Sequence, residues 1–176
     1  MSESRKIRSK VMPYFLEGRS VMDLGCGNEK IVPWAFGVDD SSEWKEQPSD
    51  VDLKASVDPA SRALDFLHQR PCGGYFDVVF SSHTLEHIPS PIAKTLHYWF
   101  CFVKPKTGRL ILYLPDETRY VYHPLNVKAR NPVHFHYLTY DTFFWHLDQI
   151  SGIEVEKYER DVDEGFYSFL AVVRRG

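Results

Sequence analysis

The chain has 176 residues, 43% of them hydrophobic and 26% charged, with a net charge of −3 and a pI near 6.2. That suffices for one domain with a substantial core and falls short of two. The mild acidity argues against a nucleic-acid-binding protein, and no apolar run reaches the length of a membrane span. Three cysteines, Cys26, Cys72 and Cys101, show no paired spacing, which favours reduced thiols over a disulfide framework. Residues 1–6 lack the apolar stretch of a signal peptide, so a cytoplasmic protein is expected.

Residues 5–17 predict a helix that Pro13 bends or ends, with Arg5, Lys6, Arg8 and Lys10 as its solvated side. Residues 21–24 predict a buried strand and 35–39 another. The link from Gly25 to Trp34 leaves room for about two helical turns. Residues 41–50, polar and carrying Pro48, predict a loop, and 51–57 a third strand. A helix follows over 59–69, with Ala63, Leu64, Phe66 and Leu67 on its apolar side. After a turn at 71–74, residues 76–80 predict a strand buried on both faces. Residues 91–103 predict an aromatic-rich helix, 104–108 a turn and 109–114 a strand.

Residues 115–138 are irregular, with Pro115, Pro124 and Pro132, yet rich in histidine and aromatics. Such a segment suits an ordered lid facing a substrate better than disorder. Thr139 is placed to cap a helix over 139–150, and 153–160 with 167–174 predict a hairpin. The alternation of strands and helices implies an α/β fold, a doubly wound and mostly parallel sheet of seven strands with a C-terminal antiparallel hairpin. One domain over 1–176 is expected, its ligands beyond the carboxyl ends of the strands.

Val21-Met-Asp-Leu-Gly-Cys-Gly27 carries the most chemistry. Gly25 and Gly27 let the chain turn tightly and let a ligand approach the main chain. An acid ending the next strand, Asp39 or Asp40, suits the two hydroxyls of a ribose. A nucleoside-containing cofactor is therefore expected. A further possibility, a nicotinamide-dependent oxidoreductase, is disfavoured because the third glycine of its fingerprint is missing at the expected offset.

These segments resemble the class I S-adenosylmethionine-dependent methyltransferases over nearly the whole chain. Residues 21–27 are similar to their first motif and Gly37-Val-Asp39 to their second. Residues 76–88, Phe-Asp-Val-Val-Phe-Ser-Ser-His-Thr-Leu-Glu-His-Ile, resemble the fourth-strand motif of one large subgroup. Residues 103–112 resemble that subgroup's lysine-proline-glycine-glycine turn and fifth strand. Two departures stand out: Glu29 takes the place of the third glycine, and Thr107 that of the second turn glycine. The short link ending at Lys30 is similar to a compact branch found among sugar- and cell-surface-modifying enzymes.

The resemblance implies a Rossmann-like fold and S-adenosyl-L-methionine as cofactor. Asp23 would organise the turn, and Gly25, Cys26, Gly27 and Lys30 would form the donor loop. Asp39, with Asp40 as competitor, would hold the ribose. Asp58, or Asp52, would read the adenine, and Ser81, Ser82 and His83 would meet the methionine end. Glu86 and His87 would organise the start of the following helix.

His83, His134 and His136 are the catalytic candidates, since an imidazole can take a proton from an acceptor near working pH. Tyr113, Tyr120, Tyr122, His123 and Tyr137 would join them in lining the acceptor pocket. No resident metal is expected, although His134 and His136 with Asp116 or Glu117 form a candidate pair. Ser81-Ser-His-Thr84 departs from the Asn/Asp-Pro-Pro-aromatic turn of the amino methylases acting on adenine or glutamine. The expected acceptor is a hydroxyl- or amine-bearing small molecule or glycan. A catalytically weak partner subunit that binds the same cofactor is the alternative.

Overall fold

The computed structural model describes residues 3–40, 51–61, 64, 74–120, 133–162 and 167–176, the Tyr120 side chain excepted. The loop expected at 41–50, most of the helix expected at 59–69, most of the turn at 71–74, and Tyr122 and His123 lie outside them.

Among the described residues, seven strands make one sheet. They are β1 (Val21–Leu24), β2 (Phe36–Asp39), β3 (Leu53–Lys54), β4 (Val78–Ser82), β5 (Arg109–Pro115), β6 (Ile153–Arg160) and β7 (Ser168–Arg175). Their order is β3-β2-β1-β4-β5-β7-β6. The first five run parallel, and β7 enters antiparallel between β5 and β6. The strand order reverses between β1 and β4, which opens a crevice at their carboxyl ends.

The helices are α1 (Glu3–Val11), α2 (Ile92–Phe100), α3 (Glu117–Tyr120) and α4 (Tyr140–Asp148). Side chains two apart along a strand share a face, so β1, β4, β5 and β7 each feed two cores. Met22, Leu24, Val79, Leu110, Leu112, Phe169 and Ala171 pack with Leu96 and Trp99 of α2 and Phe143 and Leu147 of α4. Val21, Val78, Phe80, Ile111, Leu170 and Val172 pack on the other face with Ile7 and Val11 of α1.

Several elements are shorter than their sequence suggests, three of them for plain local reasons. Helix α1 gives way at Met12 to a 3-10 turn, because Pro13 lacks the amide needed to continue the ladder. Strand β3 keeps two paired residues, since only Val38 and Asp39 of β2 lie alongside it. The link between β1 and β2 forms turns with no helix at all, and its Ile31, Val32 and Ala35 fill the α1 face directly. Helix α4 begins as expected. Thr139 accepts from the Thr142 amide while Thr142 caps the Thr139 amide, a reciprocal box that satisfies two end donors. No helix of the described residues is long and apolar enough to cross a membrane.

Candidate functional site

A cleft of about 220 Å³ opens at the reversal point. Gly25 and Gly27 of the turn after β1 form one wall, with Asp39 and Asp40 after β2. Ser56 and Val57 after β3 continue it, and His83, Thr84, His87 and Ile88 after β4 close it opposite.

The turn is built tightly. Gly25 and Gly27 have φ of +72° and +56°, where a β-carbon is disfavoured. The Gly25 and Cys26 amides both donate to the Val38 carbonyl, at 2.8 and 3.3 Å, which folds the turn over β2. A β-carbon on Gly25 would stand 2.1 Å from Thr84 Oγ1. Asp39 accepts from the Gly27 amide at 3.0 Å, so its carboxylate reaches across to the turn.

Asp23, Cys26, Lys30, Asp58, Ser81 and Ser82 lie outside the cleft wall, and the structure gives most of them supporting positions. Asp23 is buried beneath the turn and accepts from the Ile31 amide at 2.7 Å. Burial pushes its carboxyl up to about 7, against the Ile31 amide and Lys30, which favour its charge. Burial, with Asp23 and Asp39 nearby, also pushes the Cys26 thiol up, which disfavours its thiolate. Lys30 turns away to Asp52 at 3.1 Å. Desolvation opposes ionisation of Asp52, but the Gly37 amide and Lys30 outweigh it and hold its carboxyl low. Asp58 caps the turn that follows it through the Ala60 amide at 2.9 Å. Ser81 donates to the Leu24 carbonyl at 2.9 Å, tying β4 to β1, and the Ser82 hydroxyl is buried without a hydrogen-bond partner among the described residues.

The Asp23 shift predicts a pH effect. Below about pH 4 the carboxyl is protonated in both states. As pH rises from about 4 to 7 the unfolded chain ionises and the folded one does not, so stability falls. Each unit is worth about 1.4 kcal/mol. Denaturant titrations at pH 5 and 7.5 should show a smaller loss for Asp23→Asn than for the native chain. Equal losses would refute the buried neutral carboxyl.

His83 follows β4 directly with a left-handed φ of +48°. Its amide donates to the Tyr113 carbonyl, and its Nε2 lies 3.2 Å from Ser168 Oγ. The ring stands edge-on to Tyr113 and Tyr167, with Glu86 Oε1 3.5 Å from Nδ1. Tyr113 is fully buried and supports His83 from below.

The two ends of the expected lid are anchored. The Asp116 amide donates to the Tyr167 carbonyl and the Glu117 amide to the Leu138 carbonyl. Phe135 and His136 amides both reach the Glu86 carbonyl. His134 and His136 diverge: His134 is buried with its Nδ1 against Glu117, whereas His136 Nε2 donates to the Ser90 carbonyl at 2.9 Å. Tyr137 is about half exposed.

Glu86, read in the sequence as organising a helix start, is fully buried, and among the described residues neither carboxylate oxygen has a hydrogen-bond partner in another residue. Burial, with Glu117 and Glu3 nearby, pushes its carboxyl up to about 8. His87 lines the cleft and packs edge-on to His134. Ser56, Val57, Thr84 and Ile88 carried no sequence signal of their own, because they reach the cleft by position after strands.

No protein-family model and no curated protein matches the sequence. Solved structures do match the fold. An S-adenosylmethionine-dependent methyltransferase from Archaeoglobus fulgidus is 16% identical over 98% of this chain and 94% of its own, with a TM-score of 0.61. One from Aquifex aeolicus is 18% identical over 97% and 90%, with a TM-score of 0.60. The Burkholderia thailandensis 1,6-didemethyltoxoflavin-N1-methyltransferase, with that compound and S-adenosylhomocysteine bound, is 13% identical over 99% and 78%, with a TM-score of 0.61. At these identities the likeness is one of fold. The chain has the seven-stranded fold that these methyltransferases share.

Proposed function

We propose that the protein is an S-adenosylmethionine-dependent methyltransferase acting on a hydroxyl or amine of a small molecule or glycan. One observation carries the reading: at the reversal point, a glycine turn and Asp39 face His83 across one cleft. The wall fits such a donor. Gly25 leaves no room for a side chain beside Thr84, so main chain lines the cleft there. Asp39, beside Asp40, offers paired oxygens for a ribose diol. Ser56, Val57 and Ile88 offer a small, mixed surface for the base.

When bound, the sulfonium supplies a methyl group by in-line displacement, the carbon–sulfur electron pair passing to sulfur. The chain's task is alignment, worth roughly 7–11 kcal/mol in favourable cases. Of the three candidate bases, His83 lines the cleft, its Nε2 3.2 Å from Ser168 Oγ, whereas His134 and His136 do not line it and are engaged by Glu117 and Ser90. His83 would take the proton that a hydroxyl acceptor loses as its oxygen gains the methyl group, a gain of about 10²–10⁴-fold.

Calorimetry with S-adenosylhomocysteine tests the donor site, and its release over a panel of hydroxyl and amine acceptors tests the reaction. His83→Asn, which tolerates the left-handed backbone, should keep binding and lose turnover. No binding of either form of the cofactor would remove the reading. Tight binding without turnover on any acceptor would favour the partner-subunit alternative.

A further inference from the structure

Behind the His87 wall of the cleft lies a group of side chains that methyl transfer as described does not use. Glu86, His87 and His134 each bring a ligand atom to within 4.8 Å of the others. His87 Nε2 is 3.9 Å from Glu86 Oε1, and the two imidazoles meet edge-on with centroids 4.7 Å apart. The segments that deliver them are forty-odd residues apart and are stitched together by the Phe135 and His136 amides on the Glu86 carbonyl.

Three features set this group apart from an ordinary buried ion pair. Among the described residues neither buried oxygen of Glu86 has a hydrogen-bond partner in another residue, only the imidazoles of His83 at 3.5 Å and His87 at 3.9 Å standing near Oε1, an arrangement costly for a carboxylate unless a cation meets it. A second buried carboxylate, Glu117, holds His134 and has its other oxygen without a hydrogen-bond partner among the described residues. The histidines are oriented from behind: His87 Nδ1 donates to the Val133 carbonyl at 3.3 Å, and His134 Nδ1 is held by Glu117. With Nδ1 so engaged, Nε2 is the coordinating atom of each ring, and a carboxylate–imidazole pair of this kind backs many metal-bound histidines.

We propose that Glu86, His87 and His134 bind a divalent transition-metal ion at the wall of the cleft, with Glu117 positioning His134. Two imidazoles and one carboxylate suit manganese, iron, cobalt or zinc better than magnesium or calcium, which prefer oxygen alone. Ligand atoms sharing one ion at about 2.1 Å stand about 3.4 Å apart, so the side chains need draw in by only about an ångström. Three protein ligands leave coordination positions open, and His87 is shared with the cleft. On the methyltransferase reading, those positions would receive an acceptor oxygen; the ion site itself does not depend on that reading.

The test uses the full chain after treatment with chelator. Titration with Mn2+, followed by loss of the free-ion paramagnetic resonance signal, should reveal one site and raise the melting temperature. His134→Ala and Glu86→Gln should abolish both effects, and Glu117→Gln should weaken binding by about 10–100-fold. His97→Ala, on the exposed side of α2, should change neither. Should the buried variants fail to fold, His87→Ala, at a side chain 30% exposed, decides alone. No Mn2+ site, or a site that survives His87→Ala unchanged, would overturn the proposal, and tighter binding of Mg2+ than Mn2+ would overturn the transition-ion assignment. S-adenosylhomocysteine calorimetry on the same samples separates the two readings: cofactor binding without metal binding sinks only this one, and the converse sinks only the other.

Discussion

Replacing Gly25 with alanine is expected to weaken S-adenosylhomocysteine binding by at least about 100-fold, close to 3 kcal/mol. Two costs combine. A left-handed backbone at a residue with a side chain costs about 1–2 kcal/mol. The new methyl would also meet Thr84 at 2.1 Å from Oγ1, 2.6 Å from Cγ2 and 2.9 Å from Cβ, so either the turn or the start of the His83–His87 wall must shift. Gly18→Ala separates the two. Gly18 has φ of +82° with nothing within 4 Å of its would-be β-carbon, so it carries the backbone cost alone. That variant should lose stability and keep cofactor affinity. Equal affinities for the native chain and Gly25→Ala, by calorimetry, would show that the turn does not hold the cofactor.

The largest loss of stability is expected at Trp99. Its side chain is wholly buried in the α2 face of the sheet, and its Nε1 donates to the Val57 carbonyl at 2.9 Å. Trp99→Ala should cost about 3–5 kcal/mol, a large part of the 5–15 kcal/mol typical of a domain. Trp99→Phe keeps most of the volume and removes the donor, which leaves a buried carbonyl unpaired at about 1–3 kcal/mol. Because Val57 belongs to the cleft, both variants should also bind cofactor less tightly. Urea titration gives the first effect and calorimetry the second. A Trp99→Phe chain as stable as the native one would show that the hydrogen bond does not hold this edge of the cleft.

The sheet was readable in the sequence because its signals are local. Apolar runs at residues 21–24 and 109–114, the capping Thr139, and the glycine turn each act within a few residues. The same locality explains where reading stopped. Gly25, Gly27, Asp39, Asp40 and His83 do meet in one cleft, since strand ends converge there by topology. Lys30 and Asp58 are instead taken up by nearby partners, Asp52 and the Ala60 amide, that spacing alone does not weigh. The pairing expected of His134 with His136 rests on an extended backbone, and the chain there turns to serve Glu117 and Ser90 separately. Glu86 gave the weakest signal of all. A glutamate after a strand is ordinarily solvated, whereas Glu86 is fully buried and its carbonyl takes the amides of residues 135 and 136 from a distant segment. The Glu-His pair in the fourth-strand motif was the one clue, and its meaning required the third member from a distant segment.

The missing helix between β1 and β2 also bears on how the chain assembles. The sheet face it leaves open is closed by α1, whose Lys6 meets Tyr167 across 161 residues of sequence. Ile7 and Val11 cannot find Leu170 and Val172 until β7 has been made and inserted beside β5. Contacts so far apart in sequence are slow to form and leave apolar surface uncovered meanwhile. During synthesis the face under α1 therefore cannot close fully before β7 is made.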